Sequence, residues 1–325
     1  MHKKFLQILK CPNTGKDLLL EIIEQKNEIV IEGFLFTDDN KHKYKITKGI
    51  PRFVDSNNYS KSFGWQWKKW GRVQFEENNL GKAMQNHTTN MFNSVTELNH
   101  SNLKSDYILE IGCGSGRFLD ILKDKDCTIV GIDNSASIDV TNSNLKNVDK
   151  SKLLLVQCDT YNLPFKDLTF NHIYTIGVLH HTPNPTKIIQ NIYKILKNKG
   201  SFSLTVYNKN SYYSLPNVNI WRKFFNLLNP IFGFYPPLIY SYFSILFLRP
   251  IARLNKFLDI VIRIPFPFCN EDDFNWSLLD TFDSITPRFQ NTYETYEVYS
   301  WLKLNKFINI RPTNWGSCSF KGEKD

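Results

Sequence analysis

The chain has 325 residues, 42% of them hydrophobic and 14% aromatic, with a formal net charge of +9 and a pI near 9.1. An apolar fraction of that size excludes a disordered chain and supports one large domain or two smaller ones. The positive charge is spread as lysines through an Asn- and Ile-rich sequence; without the dense basic block of a nucleic-acid-binding arm, nucleic acid is not expected as a partner. Six cysteines, at 11, 113, 127, 158, 269 and 318, form no C-x-x-C pair. With a polar start, MHKKFLQILK, that lacks a secretory pattern, they predict a cytoplasmic, reducing setting.

Residues 1–55 read as a small β-rich unit, with apolar runs LLLEII and EIVIEGFLF separated by turn formers and closed by GIPRFV. It is too short to carry a large core alone, so it must pack against its neighbour. From Ser60 to about Asn102 the spacing is helical. From Asp106 strand and helix alternate: YILEIG, RFLDILKD, TIVGID, a helix to about Asn147, LLLVQCD, HIYTIGVL, the helix PTKIIQNIYKILKN, then SFSLTVYN. Helices of crossover length between strands predict a parallel sheet with right-handed connections. Residues 209–290 interrupt the alternation as an aromatic, proline-bearing insertion, and the helix TYEVYSWLKLN with strands FINIRPT and SCSFKG resumes it. The most apolar stretch, Ile231 to Leu248, approaches the length of a membrane span but is broken by Gly233, Pro236 and Pro237; a buried or interfacial cap is expected instead.

ILEIGCGSG ends a strand with glycines at alternate positions before a helix. Such a turn lets a ligand approach the backbone beside an electropositive helix N-terminus, and so marks a nucleotide-type site. The next strand ends in Asp133, a carboxylate able to accept from both hydroxyls of a ribose, and the third ends in Asp159, an acid that can accept from an adenine amino group or cap the following turn.

ILEIGCGSG, GIDNS, CDTYNLPFKDLTFNHIYTIGVLHHTPNP and KNKGSFSL together resemble class I S-adenosylmethionine-dependent methyltransferases, especially the group of ubiquinone and menaquinone biosynthesis enzymes. The resemblance covers about 105–208 and returns at about 293–322. It implies an α/β fold: a doubly wound, seven-stranded Rossmann-like sheet, here with a small β-rich N-terminal domain (1–55) and a helical cap insertion (209–290) within the catalytic domain (56–208 and 291–325). It implies S-adenosylmethionine as cofactor. Glu110, Gly112, Gly114 and Gly116 would serve the methionine end, Asp133 and Asn134 the ribose, Asp159 and Thr160 the adenine, and Gly177 and Val178 the floor near the sulfonium. Glu110 stands where the family more often has Asp.

Methyl transfer from a sulfonium is an in-line displacement, so alignment supplies much of the catalysis, about 7–11 kcal/mol in favourable cases. A base is required only if the acceptor must lose a proton. His180 and His181, just past the fourth strand of the alternation, are candidates for that base, the alternative being strand-end packing. The motif of amine-methylating base enzymes, Asp or Asn followed by Pro-Pro and an aromatic, is absent from IGVLHH, as is a Pro-Cys nucleophile.

LKCPNTGKDLLL with GFLFTDDNKHKYKITKGIPRFV resembles the zinc-ribbon-like domain fused to some methyltransferases and found separately as an activator of others. Thr14 replaces the second cysteine of its C-P-x-C and no later pair follows, so no metal is expected; Cys11 and His42 are too few ligands. YSKSFGWQWKKWG and LDTFDSITPRFQNTY resemble segments of a bacterial subgroup of these enzymes. There Tyr59, Phe63, Gln66 and Trp67 would close over the methionine end and Asp283 and Arg288 would face the acceptor, while Trp65 and Trp70 dock helices. The insertion combines apolar bulk with Arg222, Lys223, Arg249 and Arg253, which fits a packed cap or a peripheral contact with an anionic membrane. The resulting expectation is O-methylation of a small molecule or glycan precursor. Its alternatives are C-methylation of a quinone-like or lipid-linked acceptor, and a noncatalytic cofactor-binding or partner-activating protein.

Overall fold

The computed structural model describes residues 1–55 and 58–325. The N-terminal strands β1 (Leu19–Lys26), β2 (Ile29–Phe36), β3 (Lys43–Thr47) and β4 (Ile50–Arg52) form an antiparallel meander. Helices α1 (Lys61–Trp70), α2 (Glu76–Asn79) and α3 (His87–Thr96) lead into the alternating region. It runs β5 (Tyr107–Ile111), α4 (Arg117–Leu122), β6 (Thr128–Asp133), α5 (Ser137–Asn144), β7 (Leu153–Gln157), β8 (Phe170–Ile176), α6 (Pro185–Ile195) and β9 (Leu196–Thr205). The insertion contributes α7 (Pro216–Phe232), α8 (Tyr235–Phe243), α9 (Arg249–Ala252), α10 (Lys256–Arg263) and α11 (Phe274–Ile285), before α12 (Thr295–Leu304), β10 (Ile308–Pro312) and β11 (Ser319–Glu323).

All these strands join one sheet in the order β1-β2-β3-β4-β7-β6-β5-β8-β9-β11-β10. The expected seven-stranded sheet is therefore corrected to eleven strands. The seven from Tyr107 onward are contiguous, and the four N-terminal strands extend their edge. The splice is a single parallel pairing, Arg52 with Gln157, beside the backbone bond from Phe53 N to Gln157 O at 2.8 Å. Arg52 secures it by donating to both oxygens of Asp139, at 2.7 and 3.2 Å, and to Gln157 Oε1 at 2.8 Å. One apolar cluster runs from Phe5, Leu9, Leu35 and Ile46 through Leu109, Val130 and Leu154 to Phe320. The N-terminal unit thus borrows its core from the larger sheet.

Strands β5, β6 and β7 lie inside the sheet with both faces covered, which explains their unbroken apolar runs. Helix α6 buries Ile188, Ile189, Ile192 and Ile195, begins with Pro185 and is capped by the Asn184 side chain accepting from Lys187 N. It stops at Ile195, short of the sequence expectation, because Leu196 already enters β9. The sheet's order reverses at the β5–β8 junction, so the following loops diverge and leave a crevice at the strands' carboxyl ends. Among the described residues no helix is long and apolar enough to cross a membrane.

Ile46 is fully buried in the shared cluster, whereas all seven tryptophans lie beyond residue 64. Ile46→Ala is expected to lower stability by about 2–5 kcal/mol and to shift the urea midpoints of tryptophan fluorescence and far-UV circular dichroism together. An unmoved fluorescence midpoint would mean that the first four strands unfold on their own.

Candidate active site

A cavity of about 280 Å³ opens at the switch point, walled by the loops after β5, β6, β7 and β8, by α1, and by α11. Its first wall is the turn between β5 and α4. Gly112, Gly114 and Gly116 take φ of +74°, +54° and +87°, a conformation that side chains with a Cβ rarely adopt. Asp133, at the end of β6, pins this turn: Oδ2 accepts from Gly114 N at 2.9 Å while Oδ1 accepts from Ser135 N and Oγ at 2.8 and 2.7 Å. Beneath lies Glu110, fully buried, accepting from Tyr174 Oη at 3.2 Å, with burial raising its pKa well above the carboxylate range. Opposite, Gly177 has φ +75°, and a Cβ there would meet nothing within 4 Å. The backbone on that side is bare toward the cavity.

Of the residues singled out from the sequence, Glu110, Gly112, Gly114, Asp133, Asn134, Thr160, Gly177, Val178, Tyr59, Phe63, Gln66, Trp67, His181 and Asp283 line the cavity. Four do not. Gly116 faces α5, where a Cβ would come within 2.7 Å of Thr141 Cγ2, so its bareness serves helix packing. Asp159 accepts from Tyr161 N at 3.0 Å and caps the turn after β7. Arg288 is exposed, its guanidinium 5.7 Å from the Phe289 ring, which corrects its placement against the acceptor. His180 is corrected as well. It is buried behind Tyr207, their rings stacked at 3.7 Å, with no hydrogen-bond partner on either nitrogen among the described residues.

His181 reaches the cavity with Nδ1 against Phe289 O at 3.0 Å, and burial pulls its pKa down to about 4. It is therefore neutral at physiological pH and a weak base. Trp65 and Trp70 pack on Phe282 at 5.0 and 5.2 Å, docking α1 on α11. In the N-terminal unit, Cys11 Sγ sits 3.2 Å from Tyr44 Oη, and Asn13 bridges Tyr44 and His42.

Three charged groups concentrate the cavity's chemistry, and two were not anticipated. Arg117, the first residue of α4, is walled in beside Phe118; its Nη1 has no hydrogen-bond partner among the described residues and its Nη2 meets only Met91 Sδ at 4.0 Å. Burial lowers its pKa, while the charges of Asp280 and Glu110 oppose that shift. Asp280 and Asp283 project from α11 one turn apart. Burial, then the charge of Asp283, raises Asp280 to about 8. Burial raises Asp283 only to about 6, because Gln66, Tyr207 and Arg117 favour its charged form. Arg117 directly follows the glycine turn, and Asp280 lies one turn before a residue already suspected; both positions were signals in the sequence. Tyr207, Tyr213, Gln74, His87, Trp276 and Trp315 complete the wall from distant segments.

The methyltransferase-domain profile matches residues 109–204, the stretch that builds this crevice. An uncharacterized protein of Methanocaldococcus jannaschii is 32% identical over 165 residues, covering 49% of this chain and 69% of that protein. The ubiquinone biosynthesis O-methyltransferase of Coxiella burnetii is 30% identical over 130 residues, 39% of this chain and 54% of the enzyme, so the match spans about half of that relative. Among solved structures, a candidate S-adenosyl-L-methionine-dependent methyltransferase of Methanococcus maripaludis aligns at 14% identity and a TM-score of 0.46, over 84% of this chain and 97% of that one. Residues 109–204 of the chain form a methyltransferase domain. The chain is an S-adenosylmethionine-dependent methyltransferase.

Because Asp133 fixes the glycine turn, Asp133→Ala is expected to weaken S-adenosylmethionine binding by about tenfold or more in calorimetry, the loss of charged hydrogen bonds being worth about 1.5–3 kcal/mol. A variant that binds as the wild type would remove Asp133 from the site. A second expectation concerns Asp280, whose pKa is 3.8 ordinarily and about 8 when folded. The folded state holds the proton more tightly, so stability due to neutral Asp280 is present below pH 3.8 and lost as pH rises towards 8. The Tm of Asp280→Asn minus that of the wild type should therefore climb across this window and level off above it. A difference independent of pH would mean that Asp280 ionises freely.

Proposed function

We propose that this chain transfers a methyl group from S-adenosylmethionine to a hydroxyl oxygen of a small molecule or glycan precursor held in the cavity. The observation that carries the reading is the half-buried pair Asp280 and Asp283, with pKa values raised to about 8 and about 6 inside the cavity that Gly177 and Val178 also line. An alcohol must shed a proton as its oxygen is methylated, and a carboxylate titrating near neutrality is a better acceptor for it than one titrating near 4. In this reading the base is an aspartate of α11 and not His180 or His181.

The open space at Gly177 and the carboxylate of Asp133 fit the cofactor's bulk and hydroxyls, while the glycines of the turn let Val178 and Trp67 pack close against it. Glu110, Gly112 and Gly114 would take its methionine end, Asp133 and Asn134 its ribose, and Thr160 its base, with Asp159 adjoining. When bound, the cofactor supplies an electrophilic methyl on a positive sulfonium. Tyr59, Gln66 and Trp67 would close the site from α1 and the segment before it, while Trp276 and Leu279 of α11 exclude water. Tyr207 holds Asp283 in place, its hydroxyl donating to Oδ2 at 3.5 Å. The free Nη1 of Arg117 would receive an electron-rich oxygen of the acceptor.

Carbon methylation of a quinone-like or lipid-linked acceptor is the second reading, favoured by Tyr207, Tyr213, Trp276 and Trp315 in the wall, which offer ring faces for stacking. Incubation with S-adenosylmethionine and a panel of sugars, sugar phosphates and phenols, read as a mass gain of one methyl, separates these. Methylation on oxygen is expected. The rate should rise with pH through the range of about 6 to 8, and Asp283→Asn and Asp280→Asn should lower kcat by about 10²–10⁴-fold with cofactor affinity retained. A new carbon–methyl bond would select the second reading. Cofactor binding without transfer to any hydroxylated acceptor would leave a noncatalytic binding protein.

A further inference from the structure

Eighteen of the 27 large apolar side chains exposed among the described residues lie between Leu215 and Phe266. They are not scattered. On α7 they fall at Ile220, Phe224, Leu227 and Ile231, spaced by three and four residues along one face. The other face of α7 buries Val218 and Phe225 and meets α8 through Trp221 and Tyr240, whose rings lie 4.5 Å apart. Helix α8 repeats the pattern with Tyr235, Ile239 and Phe243 outside, and Pro237, Tyr240 and Ser241 inside. On α10, Phe257, Ile260 and Val261 are exposed, as is Ile264 just past its end, and no residue of the helix is buried. Its end abuts α7, where Asn217 Nδ2 donates to Arg263 O at 2.7 Å and Trp221 Nε1 to Pro265 O at 2.8 Å. Three adjoining helices therefore turn apolar stripes to the outside, more than an isolated surface residue explains.

The charge carried by this stretch itself is mostly positive. Between residues 209 and 270 stand seven Lys and Arg and a single carboxylate, Asp259, which is engaged by Arg263 at 3.3 Å and Asn270 at 3.2 Å. Lys223 and Lys256 are exposed among the stripes, whereas Arg253 pairs with Asp272 at 3.3 Å and Lys209 with Glu294 at 3.2 Å. Lys69 of α1 adds another cation, its Nζ 5.8 Å from the Tyr242 ring. A second copy seated symmetrically here would set like charges against each other. A bilayer with anionic headgroups takes both features at once: acyl chains receive the stripes, and phosphates receive the cations.

We propose that α7, α8 and α10 form an interfacial membrane-docking surface for anionic lipid. The surface lies outside the acceptor cavity: α11 packs against α7 and α8 on one side and contributes Trp276, Asp280 and Asp283 to the cavity on the other. The proposal is independent of which atom is methylated, since it concerns where the enzyme works. A protein docked this way meets acceptors carried on lipid at the bilayer surface.

The test is co-sedimentation of the full chain with vesicles of phosphatidylcholine alone or mixed with phosphatidylglycerol. Binding to the mixed vesicles is expected to exceed that to phosphatidylcholine about tenfold or more, and to fall with salt. Leu227→Ser/Ile231→Ser/Phe257→Ser changes only exposed side chains and should reduce that binding about tenfold or more, with calorimetric S-adenosylmethionine binding and far-UV dichroism unchanged. Lys223→Glu/Lys256→Glu should abolish the preference for phosphatidylglycerol. No sedimentation with either vesicle, or equal sedimentation of wild type and triple variant, overturns the proposal. So does a wild-type dimer in light scattering that the triple variant converts to monomer without lipid binding by either, which assigns the face to a second copy.

Discussion

The hydrogen bond from Gly114 to Asp133 ties the turn after β5 to the end of β6, and the rest of the site depends on it. A turn with three left-handed glycines has little conformational preference of its own. The carboxylate selects one arrangement by accepting from the turn and from Ser135, in effect a clamp across two neighbouring parallel strands. Thr141 tightens the same clamp from α5, its hydroxyl donating to Gly114 O at 2.7 Å. The sheet supplies the crevice through its reversal at β5 and β8, but this clamp gives it a wall of fixed shape.

Behind that wall the cavity holds more charge than its burial would tolerate without a purpose. Glu110 is buried, Arg117, Asp280 and Asp283 are half-buried, and the pKa values of all four move toward the neutral form. Burying an ion costs free energy unless a partner compensates. Here compensation is incomplete among the described residues: Arg117 feels the carboxylates without a close ion pair, and Asp280 has only Gln74 Nε2 at 3.5 Å. Such a site is poised for a ligand that completes its hydrogen bonds, and a group held near its titration point exchanges a proton readily. The stability given up locally is supported by the large apolar clusters on either side of the sheet.

The later strands were legible because a strand buried on both faces reads as an apolar run, and helices of crossover length after the first, second and fourth of five such runs point to a parallel sheet. The turn residues were legible for the same local reason. The continuation of the sheet through β4 was not, since it rests on one register pair and on Arg52, and an arginine in GIPRFV does not announce Asp139 as its partner. His180 illustrates the converse. Two adjacent histidines at a strand end suggest chemistry, but the ring of Tyr207, distant in sequence, covers one and leaves the other exposed to the cavity. Asp280 was missed because nothing local in FNWSLLDTFDSI sets it apart from a solvent-facing acid, and only tertiary packing shows that it turns towards the cavity.

That inward turn also accounts for the insertion's composition. Helix α11 cannot present Asp280 and Asp283 to the cavity and bury its remaining surface, including Phe282 and Ile285, unless other helices cover it. Helices α7 and α8 do so with Phe225 and Tyr240. Covering α11 needs only one face of each, and a helix that ends in water would carry polar residues on the other. Here the outer faces are apolar and fringed with lysine and arginine, so they have no role in holding α11 in place. The same segment thus solves two problems with opposite faces, an enclosed polar site within and an apolar, cationic surface without.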